Sequence, residues 1–217
     1  MTRFRLILLV GVALLAAPAR IVAQDPPPPI PRFAVDLRGS VPKFSTEPEL
    51  AQSRGLLPTQ LPGRGLGAEL GVHLYLFKVK AMTVGVGGQL TIARAVFGEQ
   101  QNTAGQVVLL SVTERYRTVS PQLSFNFGDG DGWSYVSGGF GPAQRVLVPD
   151  GALLTAVDEE RLRTVNYGGG ARWFIKPHVA FTFDVRFHDI DPGTPMLDRP
   201  ASPRSRLLIM GAGVAFK

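Results

Sequence analysis

The chain has 217 residues, with 25 glycines, 18 prolines, 13 phenylalanines, no cysteine and a formal net charge of +6. That length suits one domain, and the lack of cysteine excludes disulfides, thiolate metal sites and a lipid-modified N-terminal cysteine. The positive charge does not point to nucleic acid: the cations are scattered rather than gathered on one stripe, and Arg3, Arg5 and Arg20 fall in a segment read below as removed, which lowers the balance from +6 to +3.

Residues 1–23 carry Arg3 and Arg5, an apolar run from Leu6 to Ala17 and then small residues, the pattern of a cleaved secretory signal. About 12 apolar residues cover only ~18 Å as a helix, against a hydrocarbon core of ~30 Å, so the run is too short for a membrane anchor. Cleavage after Ala23 or after Ala19 fits the small residues there. Residues 24–31, with Asp25 ahead of Pro26 to Pro29 and Pro31, predict an extended periplasmic tether.

From Arg32 to Lys217 no convincing helix is read, and apolar residues recur in steps of two. The first strand, Arg32–Ser40, sets Phe33, Val35 and Leu37 against Ala34, Asp36 and Arg38; the second, Leu66–Phe77, sets Leu70, Val72 and Leu74 against Glu69, His73, Tyr75 and Phe77. The third, Ala81–Phe97, opposes Val84, Val86 and Ile92 to Thr83, Gln89 and Thr91; the fourth, Thr113–Phe127, opposes Val119, Leu123 and Phe125 to Ser120, Gln122 and Asn126, with Pro121 implying irregular pairing. The fifth, Trp133–Leu147, is glycine-rich and poorly phased. The sixth, Arg161–Ile175, sets Val165, Tyr167 and Trp173 against Thr164, Asn166 and Arg172. In the seventh, Val179–His188, Phe181, Phe183 and Val185 oppose Thr182, Asp184 and Arg186; the eighth, Arg206–Lys217, has Met210, Val214 and Phe216 against mostly small residues.

The connections alternate. Short turns lie at Lys78–Lys80, Gly128–Gly132 and Lys176–Pro177, and long polar or proline-broken links fill 41–65, 98–112, 148–160 and 189–205. An even number of strands with this rhythm predicts an all-β fold, an eight-stranded antiparallel up-and-down transmembrane β-barrel over residues 32–217, short turns in the periplasm and long loops outside. Closure pairs every backbone group, which hydrocarbon demands. The rival is a soluble periplasmic lipocalin-like carrier with its apolar face inward; about five bulky apolar residues on each of eight strands overfill so narrow an interior, whereas the small opposite face suits a crowded lumen.

The signal segment, the strand rhythm, "NYGGGARWF" of the sixth strand, "VAFTFDVRF" of the seventh and the terminal "GAGVAF" resemble the small outer-membrane β-barrels of the OmpA-like, OmpX-like and OmpW-like kind in Gram-negative bacteria. The resemblance implies insertion by the barrel-assembly machinery, which in that family reads a final aromatic; here the candidate is Phe216, displaced from the end by Lys217.

The outward set predicted to meet lipid is Leu70, Val72, Leu74, Leu123, Phe125, Phe181, Phe183 and Val185, with Trp133, Tyr135 and Trp173 as an interfacial girdle. Asp36, Arg38, Glu69, Arg172, Asp184 and Arg186 share the lumen face and are expected to form an ion-pair network, while lumen glycines such as Gly71, Gly85, Gly87 and Gly170 would either leave a cavity or be filled by Tyr75, Phe77 and Gln89. At the long-loop rim Arg115, Arg117, Arg161 and Arg163 suit lipopolysaccharide phosphates or plain water. His73 and His188 point inward without a neighbouring nucleophile, and Glu69 lies about 13 Å from His73 along the strand, too far to share a metal. The expectation is a monomeric, non-catalytic barrel without cofactor or metal, structural or surface-interacting, with a plugged polar lumen; a narrow porin-like channel for a small or apolar solute is the alternative.

Overall fold

The structure, a computed structural model, describes residues 28–152, 158–195 and 200–217. The secretory signal and most of the proline-rich tether expected at the N-terminus lie outside the described residues. Among the described residues ten strands are formed: β1 Phe33–Lys43, β2 Gly65–Val79, β3 Met82–Phe97, β4 Gln100–Gln101, β5 Val107–Leu109, β6 Val112–Asp129, β7 Gly132–Pro149, β8 Glu159–Lys176, β9 Val179–Ile190 and β10 Ser205–Phe216.

Eight of them close into an antiparallel barrel in the order β1-β10-β9-β8-β7-β6-β3-β2, and the seam is the pairing of β1 with β10, Val35 opposite Phe216 through Lys43 opposite Leu208. The remaining pair, β4 and β5, is a small hairpin within the second long loop. Sequence and structure differ over the first long loop, where a five-residue helix α1, Pro48–Gln52, and a 3-10 turn at Pro58–Gln60 stand in a region read as irregular. The β6–β7 ladder is interrupted between the pairs Thr118–Ala143 and Gln122–Gly139, where Pro121 supplies no N–H.

Strand period two carries the rest. Through the short-turn two-thirds of the barrel the outward positions are apolar and exposed, among them Leu70, Val72, Leu74, Leu123, Phe181 and Phe183, with Phe125 and Val185 outward but partly covered by neighbours. On β6 this band runs from Phe127 back to Val119, close to the ~9–11 residues that a tilted strand needs to cross hydrocarbon. The charged positions are buried, so the apolar faces do not turn inward around a ligand and the carrier architecture is excluded. In the second strand the alternation slips: a register shift between Tyr75 and Phe77 leaves Leu76 and Phe77 both exposed, so Phe77 lies outside rather than in the lumen.

Towards the long loops the polarity reverses. Leu162, Leu207, Ile209, Ile190 and Tyr116 turn inward and pack together with Phe44, whereas Arg115, Arg117, Arg161, Arg163 and Arg206 turn outward. Above that cluster α1 and its flanks close the mouth: Leu50, Ala51 and Leu61 are buried against Val112 and Leu147. At the short-turn end Ala34, Tyr75 and Trp133 form a third cluster, sealed by Ile30 and Phe174.

Candidate functional site

The middle of the barrel is a polar layer held by side chains from seven of the eight walls, β10 presenting only Gly211 and Gly213 at that level. All six expected charges are buried inside it. Asp36 of β1 receives a bidentate pair from Arg172 of β8, with Nε to Oδ1 at 2.8 Å and Nη2 to Oδ2 at 2.5 Å. Arg38, two residues along β1, donates from Nε to Glu69 of β2 at 3.2 Å and reaches Tyr135 of β7, the strand facing it across the ring, at 3.5 Å. The Tyr135 hydroxyl donates in turn to Asp184 at 2.7 Å, and Asp184 also accepts from Arg186 Nη2 at 3.1 Å.

Neutral groups complete the layer. Arg186 donates to Gln122, Asn166 and Ser137 at 3.1, 3.1 and 2.7 Å, and Gln89 donates to Glu69 at 2.7 Å. The Arg172 guanidinium lies 4.3 Å from the Tyr135 ring centre and 5.6 Å from that of Trp133. An unpaired charge in so dry a setting costs several kcal/mol, and each of these is met by an opposite charge or a hydrogen-bond partner.

Two of the three residues read as an interfacial girdle belong here instead. Trp133 and Tyr135 are 2 % and 3 % exposed and face the lumen, and Trp133 stacks on Phe174 at 5.2 Å and meets Tyr75 edge-on at 5.7 Å. Glycines at β7 blurred the period from which their side was guessed. Trp173 is 54 % exposed, stacked on Phe181 at the short-turn end.

The lumen glycines make room for neighbours rather than a cavity. A Cβ at Gly85 would stand 2.9 Å from the Tyr75 ring, one at Gly87 2.9 Å from His73 Nδ1, and one at Gly170 2.8 Å from the Tyr135 hydroxyl. Large side chains therefore lean over strands that lack them.

A second buried pair, absent from the sequence expectations, sits nearer the long loops. Arg145 of β7 donates from Nε and Nη2 to Glu114 Oε1 of β6 at 2.9 and 2.7 Å and from Nη1 to Ser205 at 3.0 Å. Glu114 is in phase with Tyr116, Thr118 and Ser120, so the inward period of the fourth strand already contained the signal. The histidines are engaged: His73 Nε2 is 3.4 Å from Asp36 Oδ2, His188 Nδ1 is 3.2 Å from the Tyr116 hydroxyl, and His178 in the β8–β9 turn is 3.2 Å from the Lys217 carbonyl. Among the described residues no group of three or more His, Cys, Asp or Glu is placed to hold a metal ion.

The outer rim is built differently. Arg94 and Arg115 are directly opposed on β3 and β6, while Gln144 of β7 stands between Arg117 of β6 and Arg161 of β8, and Pro142 is opposite Arg163. The Arg54 guanidinium of the first long loop pairs with Glu160 at the start of β8 and donates to the Pro200 carbonyl at 3.3 Å. Phe216 is exposed on the outer surface opposite Val179 and Val35.

Among solved structures the chain is similar to Neisserial surface protein A, with a TM-score of 0.54 at 11% identity over 86% of this chain and 97% of that one. The fold is that of a small outer-membrane β-barrel. The barrel is also similar to the Ail attachment invasion locus protein of Yersinia pestis in complex with a heparin analogue (TM-score 0.47, 15% identity, 85% of this chain and 97% of that one) and to the outer membrane protease OmpT of Escherichia coli (0.43, 8%, 85% and 96%). No family model and no curated protein sequence matches the barrel.

Proposed function

We propose that the chain is a bacterial outer-membrane barrel that spans the bilayer as a closed, non-conducting monomer and acts through its outer surface and long loops rather than by catalysis. The observation that carries this is the polar layer: Arg38 reaches from β1 to Tyr135 on the opposite wall, and Arg172, Asp184 and Arg186 occupy the space to either side. A solute on the barrel axis would have to break buried ion pairs, each of which leaves an uncompensated charge. The two caps, α1 outside and Ile30 with Trp133 inside, support the same reading. With eight strands the interior is only wide enough for side chains.

Absence of catalysis is supported by the histidines, which are committed to Asp36, Tyr116 and the Lys217 carbonyl rather than to a nucleophile. The deciding experiment is conductance of the purified, refolded barrel in a planar bilayer. A silent membrane is expected; a steady current lost in Arg186→Ala would replace this reading with the narrow channel.

A further inference from the structure

Five arginines, Arg94, Arg115, Arg117, Arg161 and Arg163, project outward from β3, β6 and β8 at the edge of the apolar band. Among the described residues none makes a side-chain hydrogen bond or ion pair, although Arg145, Arg204 and Arg206 nearby each hold a carboxylate. Arg94 and Arg115 are directly opposed, and like charges so placed destabilise a sheet unless an anion lies between them. Asp150, which accepts from Ser111 and Thr113, is the anion in electrostatic reach of that opposed pair, and Asp191 pairs with Arg204, so the arginines left without a carboxylate contact are Arg117, Arg161 and Arg163, with Glu159 outward two residues before Arg161.

The surface below is concave. Under Arg117 and Arg161 lies a groove of about 330 Å³ over Pro142 and Gln144, and beside it one of about 800 Å³ between Arg161, Arg163, Phe140 and Val165. A third, of about 680 Å³, continues down the outer wall across Gly138 between Leu123 and Tyr167. The cause is β7, whose outward Pro142 and Gly138 leave hollows above and below the projecting Phe140, with neighbours on β6 and β8 as the banks. Guanidinium groups at the head of an apolar trough match a ligand with phosphates at one end and acyl chains at the other.

We propose that this face binds a multiply phosphorylated lipid of the outer leaflet, its phosphates held by Arg117, Arg161 and Arg163 and one acyl chain passing beside Phe140 into the hollow over Gly138. Arg117 and Arg161 stand two strands apart, about 10 Å at the usual strand spacing, so two phosphates on one sugar headgroup can be held together. The site rests on the reading of the chain as a bilayer-spanning barrel.

The test inserts the full barrel into phosphatidylcholine vesicles with and without bisphosphorylated lipid A and counts lipid A retained on extraction by native mass spectrometry. The wild type should retain it, and the triple variant Arg117→Gln/Arg161→Gln/Arg163→Gln should bind at least about tenfold more weakly, since each charge-assisted contact is worth over a kcal/mol. The pair Lys43→Gln/Arg64→Gln, outward cations on the far side of the rim, should bind as wild type; an equal loss there overturns the site in favour of diffuse rim charge. Dephosphorylated lipid A should not be retained by the wild type, a comparison that stands even if the triple variant fails to fold. Displacement of lipid A by inorganic phosphate, or retention unaffected by filling the trough with Gly138→Leu, overturns the acyl groove. Failure of the wild type to insert into plain phosphatidylcholine would instead overturn the membrane reading itself, whereas an inserted barrel that retains no lipid A overturns the site alone.

Discussion

Arg172 is fully buried, bound through two nitrogens to Asp36 and flanked by the rings of Tyr135 and Trp133. Arg172→Ala strips a buried carboxylate of its partner and should cost about 3–5 kcal/mol of folding stability in urea-induced unfolding from vesicles, with part recovered when Asp36→Asn removes the stranded charge. Phe183 sits on the other side of the same wall, central in the outward apolar run of β9, where Phe183→Arg should cost ~2–4 kcal/mol in the same measurement, and an arginine nearer either rim less. Beyond the outward apolar band, hydroxyls donated by Ser111 and Thr113 hold the Asp150 carboxyl below its ordinary pKa. Its folded pKa is the depressed one, so the contact contributes fully above the unfolded value near ~3.9 and is lost as pH falls through the folded value; a carboxyl NMR titration should show a midpoint below that of an unfolded peptide, and Ser111→Ala should raise it. Residue-level legibility followed the regularity of the strand. Where alternation was clean, as around Asp184 and Arg186, the facing side could be read directly; at Trp133 and Tyr135 the glycines of β7 removed the side chains that fix the phase, and at Phe77 one bulged residue shifted it.

Single strands here serve two solvents. On β6 and β8 the apolar residues face outward up to Val119 and Val165 and the arginines take over beyond them, while inside the order inverts from Ser120 and Asn166 to Tyr116 and Leu162. On the proposed reading the inversion is where lipid gives way to water, because only above that level does an inward apolar cluster gain more than an outward one. It is present in the sequence, in Arg161-Leu162-Arg163 for example: the period of two continues there while the apolar and charged faces exchange sides. The short helix α1 was not legible: five residues are below the length at which a helical period can be recognised, and its position is set by Leu50 docking on Val112 and Leu147. Leu50→Asp should release that loop while the barrel persists. Limited trypsin digestion would then cut after Arg54, which the wild type shields by burying the side chain against Glu160.

For the whole molecule, strand number, the alternation of short and long connections and the direction of the apolar face were all open to sequence reasoning, because lipid permits few solutions to backbone pairing. What fills the interior was only half open: the charges could be assigned to the lumen, but which of them meet depends on distances across the ring rather than along the chain. A closed sheet of this kind should resist cold detergent, so unboiled protein is expected to migrate differently from boiled protein on a gel, and an unshifted band from a soluble fraction would count against the architecture. The seam between β1 and β10 carries a temporal consequence. Val35 and Phe216 are partners, yet nearly the whole barrel is synthesised between them. Until β10 has emerged, β1 has one unsatisfied edge and the growing sheet another, so the contact of greatest sequence separation must form late. Before closure the chain is therefore an open ribbon with two unsatisfied edges, exposed to mispairing for as long as the eighth barrel strand is missing.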